Sequence, residues 1–275
     1  MTNFENLLTS TTLIPLWAKA LESVSEDPIL VDKNAYPLLK SLGYDLDYYD
    51  KKKQNLSQVG CCLRAKWIDD ETLKFINEHE ASQVIQLGAG IDDRFRRINM
   101  PEKVRYWYDL DLEEVAAMRK KVIPEVDRNK IISMNMFDTA WMQHLKENDL
   151  PTLVIIEGVL MYIEEEKINS LIEDISTYLG NCTVLFDSVP PMLVGRAKYH
   201  DSVTKYNKKV EYIWGAKWPE DIEKLSDKVK VLNFVFMSDL PMAYKFNRVM
   251  KFLYRISPYL HRHATQRLVS IRIEA

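Results

Sequence analysis

The chain has 275 residues and 47% hydrophobic composition, enough to bury a large core, so one large domain with an added cap is expected. A net charge of −3 and a pI near 6.0 give no overall attraction to phosphate polymers, which argues against nucleic-acid binding. Three cysteines, Cys61, Cys62 and Cys182, cannot build a disulfide framework or a four-ligand zinc site, so a reducing, cytoplasmic location is expected.

No segment predicts membrane insertion. The first apolar patch, 13–17, lacks a basic flank and is too short for a signal peptide or a membrane span. The most apolar interior run, 153–163, is interrupted by Glu157 and Gly158. We therefore expect the chain to have no membrane partner.

Residues 1 to about 80 are predicted to be helical. Apolar residues recur at helical spacing from Leu13 to Leu21 and again from Leu56 to His79, with a break at Asp27 and Pro28 between them. A helical leader ahead of an α/β core predicts a cap over a ligand site. A helical layer that only completes the core fits the same pattern.

From residue 83 the pattern alternates between strands and helices. Strands are predicted at 83–88, 104–110, 130–135, 152–157 and 182–187, with helices between them at 92–99, 112–121, 138–147 and 164–179. Strands that alternate with crossover helices predict a parallel sheet wound in right-handed units. The expected core is Rossmann-like.

The pattern is less regular after Pro190 and Pro191. It holds an apolar run at 229–237, a predicted helix around 241–256 and a last strand at 267–273. Too few apolar residues lie between 190 and 225 for a separate core, which favours an insertion. The predicted division is a helical cap over 1–80 and a core over 81–275 with a cap insertion at about 190–225.

A glycine turn follows the first predicted strand. Gly88 and Gly90 come directly after the apolar run 84–87, and glycine lets a ligand approach the backbone where a strand ends. The turn indicates a nucleotide-like ligand, although a turn joining any strand to any helix fits as well. Dinucleotide dehydrogenases carry a third glycine where this chain has Asp93, which disfavours a NAD-dependent oxidoreductase.

Four segments occur together in an order and spacing typical of one family: 16–22, 86–94, 107–115 and 156–162. They resemble the class I S-adenosylmethionine-dependent O-methyltransferases, and among them the leucine carboxyl methyltransferase branch with its tetracenomycin-type polyketide O-methyltransferases. The resemblance spans roughly residues 13 to 190. It implies a Rossmann-like, seven-stranded class I methyltransferase sheet with an N-terminal helical cap. The implied cofactor is S-adenosyl-L-methionine (SAM), with S-adenosyl-L-homocysteine (SAH) as product.

The resemblance also implies how the cofactor is held. Arg64 would pair with its carboxylate, because a guanidinium matches a carboxylate bidentately, and Glu157 would pair with its ammonium. An ion pair inside the protein is the alternative for Glu157, since a carboxylate in an apolar run needs a partner. The implied cofactor-binding residues are Lys19, Arg64, Gly88, Ala89, Gly90, Asp111 on the ribose with Asp109 as the alternative, Asn135 near the adenine, and Glu157.

A sulfonium is already a strong electrophile, so the enzyme need only position the acceptor and exclude water. No general base is assigned, and no metal is expected. A carboxylate acceptor is ionised at pH 7, which favours methyl ester formation on a small hydrophobic or aromatic acid. A hydroxyl acceptor with a base from the cap is the alternative. Candidate acceptor contacts are Tyr162, Tyr206, Trp214 and Arg248.

Three other functions fit the sequence. They are a protein or peptide C-terminal carboxyl methyltransferase, a catalytically silent module that binds the cofactor, and, least favoured, the oxidoreductase. The stretch from Lys245 to Arg272 carries seven basic residues and no acid. A solvated helix face explains this pattern, and a surface that attracts an anionic acceptor would also explain it.

Overall fold

A computed structural model describes residues 3–48, 55–145, 149–196, 211–246, 252 and 262–275. These residues form one seven-stranded sheet. Its strands are β1 (Ser82–Leu87), β2 (Val104–Asp111), β3 (Asn129–Ser133), β4 (Thr152–Ile156), β5 (Cys182–Ser188), β6 (Val229–Phe236) and β7 (Arg267–Ile273). The strand order is β3-β2-β1-β4-β5-β7-β6.

Helices precede and connect the strands. They are α1 (Asn3–Glu22), α2 (Ala35–Ser41), α3 (Asn55–Asn77), α4 (Arg94–Arg97), α5 (Glu113–Val122), α6 (Ala140–Leu145), α7 (Glu165–Leu179) and α8 (Pro219–Glu223). Single 3-10 turns lie at Leu160–Tyr162, Pro191–Leu193, Met237–Asp239 and Ala243–Lys245. No helix among the described residues is long and apolar enough to cross a membrane.

The five predicted strands from β1 to β5 are parallel, as expected. No direction was predicted for the last two strands, and β7 pairs antiparallel with both β5 and β6. From β1 the chain adds β2 and then β3 on one side, whereas β4 and then β5 lie on the other side of β1. The direction in which strands are added therefore reverses between β1 and β4. In open α/β sheets, ligands bind in the crevice at the carboxyl ends of the strands beside such a reversal.

The central strands are buried on both faces. Every residue of β1 and β4 is buried, and successive residues point to opposite sides of the sheet. Val84 and Leu153 belong to the hydrophobic core on the side of α1, α2 and α3, whereas Ile85 and Val154 belong to the core on the side of α7. The N-terminal helices therefore complete one of the two cores.

Two predicted helices differ in extent. The helix expected at 92–99 is a single turn, Arg94–Arg97, and the two acids before it, Asp92 and Asp93, form ion pairs with Lys19 and Arg96. Residues 241–246 do not begin the helix expected at 241–256, and hold only the 3-10 turn Ala243–Lys245. Most of the remainder of that stretch lies outside the described residues.

Gly88→Ala is expected to destabilise the protein more than Gly43→Ala. Both glycines have a positive φ, +67° and +85°, so each substitution costs about 1–2 kcal/mol in backbone strain. A Cβ at Gly88 would also lie 2.6 Å from Cγ2 of Val159, whereas one at Gly43 would meet nothing within 4 Å. Urea unfolding measures both losses, and Val159→Ala should recover part of the larger one. Equal losses would show that the close approach carries no cost.

Candidate active site

A cavity of about 700 Å³ opens at the carboxyl ends of the parallel strands, beneath α1 and α3. Ligand pockets commonly measure roughly 300–1,000 Å³. One part of its wall, the polar half, contains Lys19, Arg64, Gln86, Asp92, Asp111 and Glu157. The other part, the apolar half, contains Met161, Tyr162, Val189, Leu193, Tyr212, Met237 and Phe246.

Asp111 is the acid at the end of β2 that lines the cavity. The backbone N–H of Gly90 donates to its Oδ2 at 2.7 Å, and the N–H of Leu112 donates to its Oδ1 at 2.8 Å. Burial raises the pKa of this carboxyl, and the two N–H groups oppose that effect. Each oxygen of an ionised carboxylate can accept a second hydrogen bond, so Asp111 can still bind a pair of hydroxyls.

Asp109 does not reach the cavity. It is 1% exposed, and its carboxylate accepts from Trp107 Nε1 at 3.0 Å, Asn129 Nδ2 at 2.8 Å and Arg119 Nη2 at 2.6 Å. Arg119 also donates to the backbone oxygens of Gly90 and Asp92. Asp109 therefore fixes the arginine that braces the glycine turn, and its alternative assignment to the ribose has no geometric support.

Nine buried side chains form one continuous set of ion pairs beside the polar half. No member is more than 10% exposed. Asp92 joins Lys19, Arg94 and Arg97, and Arg97 continues to Asp32 and Asp69. We call this set the charge network; its members are Lys19, Arg64, Arg94, Arg97, Asp32, Asp69, Asp92, Glu157 and Asp187.

Glu157 is held inside this network and also lines the cavity. Arg64 Nε donates to its Oε1 at 3.0 Å, and Arg94 Nη2 donates to its Oε2. Burial alone would raise the pKa of Glu157, but the guanidinium groups of Arg94 and Arg64 outweigh it and hold the pKa below its usual value. The ion pair inside the protein that was the alternative for Glu157 is therefore present.

Arg64 bridges two acids. Its Nη1 donates to Asp187 Oδ2 at 3.0 Å, and the other oxygen of Asp187 accepts the N–H of Gly158 at 2.6 Å. Burial raises the pKa of Asp187 although Arg64 and Gly158 oppose it. The third guanidinium nitrogen, Nη2, donates to none of the described residues. Arg64 lines the cavity, so this nitrogen can meet an anion there.

Two further features of the polar half complete the wall. Lys19 is 2% exposed and donates to Asp92 Oδ1 at 2.5 Å, which leaves two ammonium N–H groups for other acceptors. Gln86 points its Nε2 toward Asp92 Oδ2 at 3.4 Å, and its Oε1 is buried with no partner among the described residues. An orphaned buried acceptor is costly, so a ligand donor would be favourable here.

An apolar shelf lies beyond Asp111. Leu112, which is 40% exposed, lines the cavity together with Met134, Met136 and Phe137. Asn135 lies in the same loop, and its Oδ1 already accepts the N–H of Phe137 at 3.1 Å. The Asn135 side chain therefore offers its N–H groups more readily than its oxygen.

The apolar half carries two tyrosines. The rings of Tyr162 and Tyr212 lie 5.7 Å apart, between centroids. Burial raises the pKa of Tyr162 to about 12 and raises that of Tyr212 further, so both phenols stay protonated at neutral pH. The Tyr162 hydroxyl can donate to an anion, and neither phenol is readily deprotonated to act as a general base.

Among the other predicted acceptor contacts, Trp214 does not line the cavity. Trp214 is 5% exposed, packs against Phe186 with ring centroids 6.3 Å apart, and donates to Glu165. Its indole belongs to the core beside α7. Tyr206 and Arg248 lie outside the described residues.

The basic stretch predicted between Lys245 and Arg272 is partly neutralised. Lys245 pairs with Glu22 at 3.0 Å, and Arg262 pairs with Asp239 at 3.1 Å. Arg267 is buried over the ring of Phe236, where burial lowers its pKa to about 10. The acids that the stretch lacks come from elsewhere in the chain.

The sequence analysis missed Asp187, Arg94 and Gln86. Asp187 follows the apolar run Val184–Phe186 in β5, which is the same signal that marked Glu157 at the end of β4. Arg94 was quoted within the glycine-turn motif but received no role. Tyr212 was passed over in favour of its neighbour Trp214, and no sequence pattern distinguishes these two aromatic residues.

The residues of the cavity fit SAM. Asp111 suits a ribose diol, the Met134–Phe137 shelf suits a flat ring, and the glycine turn leaves the backbone open beside them. The methionine end has an ammonium, which needs acceptors, and a carboxylate, which needs donors. Gln86 Oε1 and Glu157 are acceptors at the polar half, whereas Arg64 Nη2 and Lys19 are donors.

Known proteins that are similar to this chain are methyltransferases. The family model for leucine carboxyl methyltransferases matches residues 12–176. The tetracenomycin polyketide synthesis O-methyltransferase TcmP of Streptomyces glaucescens is 26% identical over 235 residues, 83% of this chain and 85% of that protein. The SAM-dependent methyltransferase dpfgK of Gibberella zeae is 24% identical over 185 residues, 63% of this chain and 62% of that protein.

Solved structures share the fold. A DUF574 family protein from Streptomyces avermitilis superposes with a TM-score of 0.58 at 10% identity, covering 96% of this chain and 97% of that one. Magnesium protoporphyrin IX methyltransferase from Synechocystis, solved with bound SAH, superposes with a TM-score of 0.50 at 12% identity, covering 89% of this chain and all of that one (100%).

Asp109→Ala is expected to lower the free energy of unfolding by about 3–5 kcal/mol, because it leaves Arg119 as an uncompensated buried charge. Asp111→Ala removes two hydrogen bonds at a partly exposed position and should cost about 1–3 kcal/mol. Urea unfolding of the two variants measures the difference. An equal loss in both would contradict the separate roles assigned to these two acids.

Proposed function

Because the chain belongs to the leucine carboxyl methyltransferase family and is a SAM-dependent methyltransferase, we propose that it forms the methyl ester of a small hydrophobic or aromatic carboxylic acid. The observation that carries this proposal is the continuity of one cavity. Its polar half suits the cofactor, and the apolar half of the same cavity contains Tyr162, whose phenol stays protonated.

We further propose how the polar half holds SAM. Asp111 accepts both ribose hydroxyls, and Asn135 lies beside the adenine. Arg64 Nη2 and Lys19 donate to the methionine carboxylate, while Glu157 and Gln86 Oε1 accept from its ammonium. Gly88, Ala89 and Gly90 let the backbone approach the same end. When bound, SAM supplies a methyl group that is activated by the sulfonium.

The lining of the apolar half supports an acceptor that is already an anion. A carboxylate is ionised at neutral pH and gives up no proton when its oxygen is methylated, so no base is needed. Tyr162 keeps its proton because burial raises its pKa to about 12. Its hydroxyl can donate to a carboxylate oxygen and so orient the acceptor, which is the positioning that methyl transfer requires.

The names of the relatives agree with an oxygen acceptor. The family is named for a leucine carboxyl group, and TcmP for an O-methylation in polyketide synthesis. A hydroxyl of a polyketide-like molecule is therefore a second candidate acceptor. The C-terminal carboxylate of a peptide is a third, and the family name favours it.

Methyl-labelled SAM should distinguish these acceptors. The purified protein is incubated with aromatic and aliphatic carboxylic acids, matched phenols and short peptides, and product mass is followed with SAH release. We expect a methylated carboxylic acid whose label is lost as methanol in mild alkali, because esters saponify and ethers do not. An alkali-stable product would show hydroxyl methylation. Label only in peptides would assign the acceptor to that class.

Arg64→Met and Glu157→Gln are each expected to weaken SAH binding by about 1.5–3 kcal/mol, the cost of a lost charge-assisted hydrogen bond. Calorimetric titration measures the change. Binding of 5′-methylthioadenosine, which lacks the amino-acid end, should stay within a few fold of wild type. Lys66→Met is the matched control, because Lys66 lies on the same helix but its side chain is 45% exposed and pairs with Asp70. Unchanged SAH affinity in both variants would place the amino-acid end elsewhere.

A further inference from the structure

The charge network does not balance. Its four cations are Lys19, Arg64, Arg94 and Arg97, and its five acids are Asp32, Asp69, Asp92, Glu157 and Asp187. Both oxygens of Asp187 accept hydrogen bonds, from Arg64 and from Gly158, which is the pattern of an ionised carboxylate. Within the described residues the network therefore carries one excess negative charge.

The excess lies against the cavity. Lys19, Arg64, Asp92 and Glu157 belong to the network and also line the polar half. Asp111 adds a second negative charge at the end of β2. Asp109 is balanced by Arg119, and Arg196 lies at an exposed position of the wall, where water screens its charge. A buried net charge is costly, so a ligand of opposite charge is favoured.

The methyl donor and its product differ in charge. SAM carries a sulfonium, an ammonium and a carboxylate, and its net charge is +1. SAH has lost the sulfonium charge, and its net charge is zero. We propose that the charge network is a charge-selective element, which binds the cationic donor more tightly than the neutral product and so favours release of SAH after each turnover.

Binding alone tests this selectivity. Sinefungin carries an ammonium in place of the sulfonium, and therefore has the charge of SAM on a scaffold like that of SAH. Calorimetric titrations of SAM, sinefungin and SAH at low ionic strength should show both cations binding about tenfold more tightly than SAH, as expected for one buried charge in a protein interior. If the wild-type protein bound sinefungin no more tightly than SAH, the proposal would be overturned.

Asp32→Asn tests the origin of the ratio. Asp32 pairs with Arg97 but does not line the cavity, and an asparagine oxygen can still accept the N–H groups of Asn34 and Ala35 that its Oδ1 binds now. The change removes one negative charge from the network at a residue outside the cavity wall. The affinity for sinefungin relative to that for SAH should fall by about threefold. A general loosening of the site would instead weaken the binding of both ligands by the same factor.

Asp45→Asn is the matched control, because the Asp45 side chain is 45% exposed, pairs with Lys40 and lies outside the network. The affinity of this variant for sinefungin relative to SAH should equal that of the wild-type protein. An undiminished ratio in Asp32→Asn would contradict the role of the network. The inference rests on the cofactor and not on the acceptor, so its failure would leave the proposed ester formation untouched. Conversely, an alkali-stable methylation product would contradict ester formation without affecting the relative affinities for sinefungin and SAH.

Discussion

Arg64 can be buried only because two carboxylates meet it, and the site depends on that constraint. Its guanidinium joins α3 to Glu157 at the end of β4 and to Asp187 at the end of β5. Asp187 in turn holds the backbone of Gly158, whose φ of +70° brings the chain against the same guanidinium. One side chain thus fixes a helix, two strand ends and a loop around the cavity. Buried ion pairs are weak evidence for stability, since replacing the whole pair with apolar residues often leaves the free energy of unfolding unchanged. We therefore assign the Arg64 ion pairs the role of positioning these elements.

Much of the fold follows from the sequence, because periodicity reports which residues are buried. The central strands were predicted to within about two residues, since β4 is apolar after Thr152 and β1 contains Val84, Ile85 and Leu87 directly before the glycine turn. The glycine turn and Glu157 were found for the same reason. The residue pattern alone did not decide between Asp109 and Asp111, because both lie on one face of β2 and only the extent of the strand separates them, although the family resemblance favoured Asp111. The strand ends at Asp111, one residue beyond the prediction, and so carries that acid to the cavity.

Other features depend on contacts between distant parts of the chain. Arg97 reaches Asp32 and Asp69, which are 65 and 28 residues away, and no local pattern encodes such partners. Trp214 and Tyr212 are both buried aromatic residues, yet one completes the core against Phe186 and the other lines the cavity. The ion pairs of the basic stretch were also not predictable from local sequence, because the acids that neutralise Lys245 and Arg262 come from α1 and from the turn after β6.

A crystal structure with SAH bound is the most direct test of the proposed cofactor site. The arrangement of the charges predicts the ribose hydroxyls within hydrogen-bonding distance of Asp111, and the amino-acid end against Arg64, with the Arg64–Asp187 pair intact. The apolar half should remain open beside the sulfur. A ribose bound to Asp109, or an amino-acid end directed away from Arg64 and Glu157, would contradict this arrangement.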